Sequence, residues 1–144
     1  AFDKAIKNSN KVAMSLSDLF CVERHKNNFL ELVKNKLDII FANEQEILSL
    51  FNTKSLREVI SFCKNLQKNV VITRGKNGAM AIINDVVFEV DAQKNLQIND
   101  LTGAGDLFAA GYLHGLVNKM DIKDCLKKGT ELSSKVIQKI GARL

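Results

Sequence analysis

Short unbroken apolar runs alternate with longer stretches whose apolar residues recur at helical spacing. Three runs predict buried strands: residues 11–16, which include Val12-Ala13-Met14; residues 37–42, which include Ile39-Ile40-Phe41-Ala42; and residues 69–73, which include Val70-Val71-Ile72. Between the first two, Val22, Phe29, Leu30 and Val33 space out as one helix over residues 20–36. After the second, Asn43-Glu44-Gln45-Glu46 opens a short helix carrying Ile47, Leu48, Leu50 and Phe51. Ser55 followed by Glu58 is a capping box, and Val59, Ile60, Cys63 and Leu66 give the helix after it an apolar stripe.

Beyond the third strand, residues 74–78 predict a loop, and residues 79–83 and 86–90 a hairpin turning at Asn84-Asp85. Residues 91–99 read as a polar connection. The helix after Asp106 is apolar nearly all round and is expected to be buried, with Tyr112 in the core and His114 as a packing residue. The last helix is expected over residues 121–140, with Ile122, Cys125, Leu126, Leu132, Val136 and Ile140 on one face. Strands alternating with helices imply an α/β fold with a mostly parallel sheet covered on both faces and an antiparallel margin. In such folds ligands bind beyond the carboxyl ends of the strands. Residues 17–18, 43–46, 73–78 and 102–106 all fall at strand-to-helix junctions.

At 144 residues, 46% apolar and 26% charged, the chain reads as one soluble globular domain. No apolar run is long enough to span a membrane, and the start lacks a signal-peptide pattern. The net charge of +5 raises a nucleic-acid reading, but the basic residues are scattered; Lys123, Lys127, Lys128, Lys135 and Lys139 alternate with Asp124 and Glu131 as a solvated helix face would. Cys21, Cys63 and Cys125 are far apart in apolar surroundings and read as reduced core thiols of a cytosolic protein.

The chemistry gathers at Asn99-Asp100-Leu101-Thr102-Gly103-Ala104-Gly105-Asp106. Glycines ahead of a helix bring unpaired N–H groups close to a ligand, and the helix field there favours an anion, most simply a phosphate. A carboxylate at Asp106 would repel that phosphate unless it serves a hydroxyl that attacks it. The stretch is neither a Walker A loop nor a dinucleotide fingerprint. Asn43 and Glu46, three apart at a helix start, share a face; their oxygens suit either a helix cap or a magnesium held through water. Asp18 ends a strand at the same edge, as a cap or a substrate contact. Arg74, Lys76 and Asn77 read as a solvated loop, and His25 as a surface or cap residue.

The pattern Asp-x-Thr-Gly-Ala-Gly-Asp closely resembles a signature of the ribokinase-like, or PfkB, family of carbohydrate and nucleoside kinases. Asn43-x-x-Glu46, Thr73-x-Gly75-x-x-Gly78 and the closing Gly141-Ala142-Arg143 resemble that family's other motifs in the same order. Residues 15–25, with Phe41-Ala42-Asn43-Glu44, look most like bacterial adenosine-kinase-like members. The resemblance implies a three-layer ribokinase-like α/β/α fold and ATP-dependent transfer of a phosphoryl group to a primary hydroxyl. Adenosine is the first expected acceptor, with fructose, ribose or guanosine as alternatives, and a non-catalytic nucleotide-binding module as a reading of another kind.

In the roles it implies, Asp106 is the base, and the N–H groups of Gly103, Ala104 and Gly105 hold the transferred phosphoryl oxygens. Thr73, Gly75, Gly78, Thr102 and Asn43 lie along ATP, Asn43 and Glu46 serve Mg2+ through water, and Asp100 with the Gly141 loop offers a site for a monovalent cation such as K+. The expected partners are a small nucleoside or sugar and, as an allowed assembly, a second copy in a homodimer; no nucleic acid and no membrane are expected. The family's amino-terminal Gly-Gly motif, sugar-gripping acid and β-lid are not in this sequence. The chain is therefore expected to be the carboxyl-terminal portion of a kinase about twice its length, inactive alone, with an exposed sheet edge where further strands would pair.

Overall fold

The computed structural model describes residues 2–143; from β1 on the elements come in the expected order, and a helix the sequence reading did not include precedes them. They are α1 (Phe2–Asn8), β1 (Ala13–Ser15), α2 (Leu19–Arg24), α3 (Lys26–Asn35), β2 (Ile39–Asn43), α4 (Glu44–Phe51), α5 (Leu56–Leu66), β3 (Asn69–Thr73), β4 (Ala79–Ile83), β5 (Val86–Val90), α6 (Ala104–Val117) and α7 (Ile122–Val136). A 3-10 turn, Gly75–Asn77, lies between β3 and β4. The strands form one five-stranded sheet in the order β1-β2-β3-β4-β5. β1 and β2 are parallel, with Ala13 opposite Ile39 and Ser15 opposite Phe41. The helices α4 and α5 make the crossover that a parallel β2–β3 pair requires, whereas the short links from β3 to β4 and β4 to β5 permit only antiparallel neighbours.

Four sequence expectations are corrected. The single helix over residues 20–36 is two, because His25 leaves the helical region (φ −123, ψ 28); its N–H closes α2 on the Cys21 carbonyl, and the same residue starts α3. The run 11–16 yields a three-residue strand whose Ala13 and Ser15 are exposed, since β1 lies at the edge of the sheet, while β2 and β3 are buried along most of their length. The last helix stops at Val136, so Ile140 is 91% exposed instead of continuing the buried stripe. In α6 only Phe108, Gly111, Tyr112 and Gly115 are buried, and His114 is exposed beside Asn118. Apolar composition all round a helix makes burial favourable on every face, but only one face, that of Phe108, Gly111, Tyr112 and Gly115, is buried here.

By internal packing the chain divides into two compact units, residues 1–72 with 82–87, and residues 73–81 with 88–144. The first has a core of Leu16, Val22, Leu37, Ile40, Ile47, Leu50, Val59, Cys63 and Ile72. Asp38 fastens β1 to β2 there: its Oδ2 accepts from the Val12 N–H at 2.8 Å, and its own N–H reaches the Val12 carbonyl at 2.9 Å. The Ser55 cap forms, but Glu58 completes no box; its carboxylate takes the Thr53 hydroxyl instead. In the second unit α6 and α7 meet backbone to backbone. A Cβ on Gly111 would lie 2.7 Å from the Lys128 carbonyl, one on Gly115 2.8 Å from Cys125 Sγ, and one on Gly129 2.8 Å from the Phe108 carbonyl.

Of the cysteines, Cys63 and Cys125 are buried thiols, as expected, while Cys21 is exposed, because it lies on the outer side of the short α2. Among the described residues no helix is long and apolar enough to cross a membrane.

Candidate active site

The first turn of α6 carries the densest set of sequence-predicted residues. Gly103 is its N-cap in the left-handed region (φ 77), and no side chain caps the helix. The Ala104 N–H folds back onto the Leu101 carbonyl at 3.2 Å, and the Leu107 N–H reaches the Gly103 carbonyl at 2.9 Å. The N–H groups of Gly103, Gly105 and Asp106 have no hydrogen-bond partner among the described residues. Asp106 is exposed on this turn, and its carboxylate makes no hydrogen bond or ion pair to the described residues. An unfilled set of helix-start donors beside a free carboxylate is thus present as the sequence suggests, with the Ala104 N–H the one expected donor that is already engaged.

The glycines of this turn have different causes. A side chain at Gly103 would suffer the positive φ and meet Ala142 Cβ at 2.8 Å. Gly105 has neither constraint. Of the eight glycines in the chain, four have positive φ, three more are pressed against the opposite helix, and Gly105 alone has open space around its absent Cβ and an ordinary backbone conformation. Nothing among the described residues requires glycine there.

Upstream of the turn, Asp100 is engaged by the protein. Its Oδ1 accepts from the Thr102 N–H at 2.9 Å and the Thr102 hydroxyl at 2.7 Å, and its Oδ2 accepts from the Gly141 N–H at 2.9 Å. The backbone and hydroxyl bonds from Thr102, then the Gly141 bond, hold its carboxyl below the usual carboxylate range. Three of the four lone-pair directions of the carboxylate are therefore taken. One direction, on Oδ2, stays open toward the monovalent cation that the sequence reading placed at Asp100 and the Gly141 loop. Asn99, which the sequence reading left in a polar connection, joins the same arrangement: its Nδ2 donates to the Gln138 carbonyl at 2.8 Å, and the Asn99 and Asp100 N–H groups share the Ile137 carbonyl at 2.8 and 3.2 Å. The available signal was the Asn-Asp pair itself, since both side chains bind nearby backbone readily.

The loop after β3 lies in the same unit. Gly78 (φ 82) turns the chain so closely onto β5 that a Cβ would sit 2.0 Å from the Val90 carbonyl, so this glycine is explained by packing. Gly75 is exposed with a positive φ of 53, and Thr73 is partly exposed at the strand end. Arg74 is not the solvated residue expected. Its side chain is only 16% exposed, it pairs with Glu89 at 3.5 Å, its Nε is buried without a partner, and it lines a cavity of about 520 Å³ with Asp91, Lys123 and Lys127.

Asn43, Glu46 and Asp18 belong to the other unit. Asn43 and Glu46 form a full capping box at the start of α4: Asn43 Oδ1 accepts from the Glu46 N–H at 2.9 Å, Glu46 Oε2 accepts from the Asn43 N–H at 2.9 Å, and Asn43 Nδ2 donates to Glu46 Oε1 at 2.7 Å. Burial first, and the Asp18 charge in addition, push the Glu46 carboxyl up, against the opposing Asn43 N–H bond. Asp18 caps α2 by accepting from the Cys21 N–H at 2.8 Å, which lowers its own pKa. No group of three or more His, Cys, Asp or Glu among the described residues is placed to hold a metal. Every side-chain oxygen of Asn43 and Glu46 already accepts a protein hydrogen bond, so this pair fits magnesium through its water shell and not by direct ligation.

A family model described as pfkB family carbohydrate kinase matches residues 1–144. The chain is similar to a cytidine kinase of Thermococcus kodakarensis, 29% identical over 118 residues, which are 81% of this chain and 42% of that protein. Among solved structures it is similar to a probable sugar kinase from Rhizobium etli, with 38% identity and a TM-score of 0.91 over 95% of this chain and 42% of the other. It is also similar to the adenosine kinase from Sinorhizobium meliloti, with 36% identity and a TM-score of 0.90 over 93% of this chain and 41% of the other. The chain thus spans less than half the length of these proteins, and the architecture is a ribokinase-like α/β fold that covers part of theirs.

Proposed function

This chain belongs to the pfkB family of carbohydrate kinases, and from that premise we propose that the protein transfers the γ-phosphoryl group of ATP to a primary hydroxyl of a nucleoside or sugar, with adenosine first. The observation that carries the reading is Gly105. A glycine that the fold does not need, on a helix start with free N–H donors, is accounted for by a ligand that comes closer than a methyl group allows. The Gly103 and Gly105 N–H groups face charge that develops on the phosphoryl oxygens, and the Ala104 N–H joins them if its long bond to Leu101 opens. Asp106, exposed and unpaired one residue on, takes the proton of the attacking hydroxyl. In phosphoryl transfer these positioning and electrostatic contributions carry most of the catalysis.

Thr73 and Gly75 border the nucleotide in this reading. Asn43 and Glu46, in the first unit, would hold magnesium through its waters, and the ion would supply charge neutralisation when bound. The adenosine assignment is supported by the 36% identity to the Sinorhizobium meliloti adenosine kinase, while the cytidine and sugar kinases at comparable identity define the competing acceptors.

The test is turnover by the full-length protein of adenosine, guanosine, cytidine, ribose and fructose with MgATP, beside an Asp106→Asn variant. Loss of a general base predicts a fall of about 10²–10⁴ in kcat. Because Asp106 is exposed and makes no bonds to the described residues, the variant should lose only the helix-dipole term of about 0.3–1 kcal/mol in stability. Unchanged turnover in Asp106→Asn would sink the mechanism. ATP binding without phosphorylation of any alcohol would favour a nucleotide-binding module.

A further inference from the structure

We propose that Asp100 is a positioning residue, a carboxylate clasp that ties the loop 137–142 to the turn 99–103 and so fixes the first turn of α6 before any ligand arrives. The inference rests on reading that turn as the phosphoryl site. Six hydrogen bonds build the clasp: four cross to the loop 137–142, and two, from Thr102, shape the turn itself. Three end on Asp100: two from Thr102 on Oδ1, at 2.9 and 2.7 Å, and one from Gly141 on Oδ2, at 2.9 Å. Three more run from Asn99 and Asp100 to the carbonyls of Ile137 and Gln138. The clasp spans 41 residues of sequence at the Asp100–Gly141 bond, so it closes a long loop as well as shaping a short one.

The chemistry asks for a carboxylate in particular. Three donors converge on two oxygens, and an acceptor-only group satisfies all of them, whereas an amide at this position must turn its NH2 toward at least one donor. The Gly103 turn shows the effect of the tie. Ala142, one residue beyond the clasped Gly141, sits where a Cβ on Gly103 would be, 2.8 Å from its own Cβ. The loop after α7 is thereby packed on the residue that starts α6. Moving it away frees the turn whose N–H groups must stay aligned. A misplacement near 1 Å at a reacting centre can cost about a hundred-fold in rate.

The experiment compares the full-length wild type with Asp100→Ala, Thr102→Val and the double variant. It measures kcat and KM for the alcohol acceptor, and hydrogen exchange at the Gly141 amide. The clasp predicts that Asp100→Ala lowers kcat about ten- to a hundred-fold with KM little changed, since the aligned donors act on the transition state. It predicts faster exchange at Gly141. It also predicts that Thr102→Val costs less in the Asp100→Ala background than alone, because the Thr102 hydroxyl acts through Asp100 Oδ1. Asp100→Ala with unaltered Gly141 exchange, or with unaltered kcat in an active enzyme, overturns the proposal. A K+-dependent wild type whose Asp100→Ala variant loses cation affinity while Gly141 stays protected overturns it in favour of a cation site. If the full-length wild type phosphorylates no alcohol, the functional reading fails, and the Gly141 exchange still decides the clasp.

Discussion

Replacing Gly105 by Ala should make the protein more stable and less active. The position is helical, exposed, and empty within 4 Å of the added methyl group, so the substitution meets no steric cost in the free protein. Glycine within a helix is less favourable than alanine by about 0.5–1 kcal/mol, chiefly through the freedom it gives the unfolded chain. Near the helix start about half of that is expected. A gain of about 0.5 kcal/mol corresponds to a rise of about 1 °C in Tm for a protein about twice this length. The same methyl group occupies the space a phosphoryl oxygen needs to reach the Gly105 N–H, and loss of one aligned donor costs about 10²–10³ in kcat. Calorimetry and steady-state turnover on the full-length protein read the two effects separately. Turnover within about two-fold of wild type, in a protein as stable as expected, would refute the assignment of this turn to the transferred phosphoryl group. Gly103→Ala is the contrast. It brings a left-handed φ at about 1–2 kcal/mol and the 2.8 Å approach to Ala142, so it should lose stability and activity together, with Ala142→Gly restoring only part.

Two further outcomes follow from the first unit. Asn43→Ala removes the N-cap acceptor and the amide that holds Glu46 Oε1, and should destabilise the protein by about 1–2 kcal/mol in denaturant unfolding; an unchanged midpoint would mean that the capping box is not formed in solution. A disulfide exchange reagent at pH 8 should modify exposed Cys21 first. It should leave Cys63 untouched until the protein unfolds, because burial pushes that thiol up to about 12 and keeps it neutral; rapid modification of Cys63 in the folded protein would contradict its burial.

The element order was legible because the buried strands are uninterrupted apolar runs and the helices carry regular stripes. What escaped the sequence depended on neighbours. Nothing local at His25 breaks the periodicity of residues 20–36, yet the backbone leaves the helical region there. Ile140 continues the apolar spacing of α7, but the chain beyond Val136 is turned toward Asn99 and Asp100 by hydrogen bonds from some forty residues away. His114 shows the limit of composition: an apolar helix reveals that it can be buried, not how many of its faces find a partner. In the candidate site, the residue types at 99–106 were readable. The division between glycines the backbone needs and the one it does not, at Gly105, required the positions of Ala142 and Val90.

The glycine seam of α6 and α7 bears on how a signal would cross the second unit. Gly111, Gly115 and Gly129 bring main-chain atoms of the opposite helix to 2.7, 3.0 and 2.8 Å from where their Cβ atoms would be, with Cys125 Sγ and the Phe108 ring closing the contact. Close-packed contacts of this kind slide or hold; they do not yield gradually. A displacement of α6 would therefore be resisted by α7 along this seam. A spectroscopic label on the linker at Met120 and Asp121 would test that coupling away from the first turn of α6: a signal unchanged by ligand would show that the two helices do not move together.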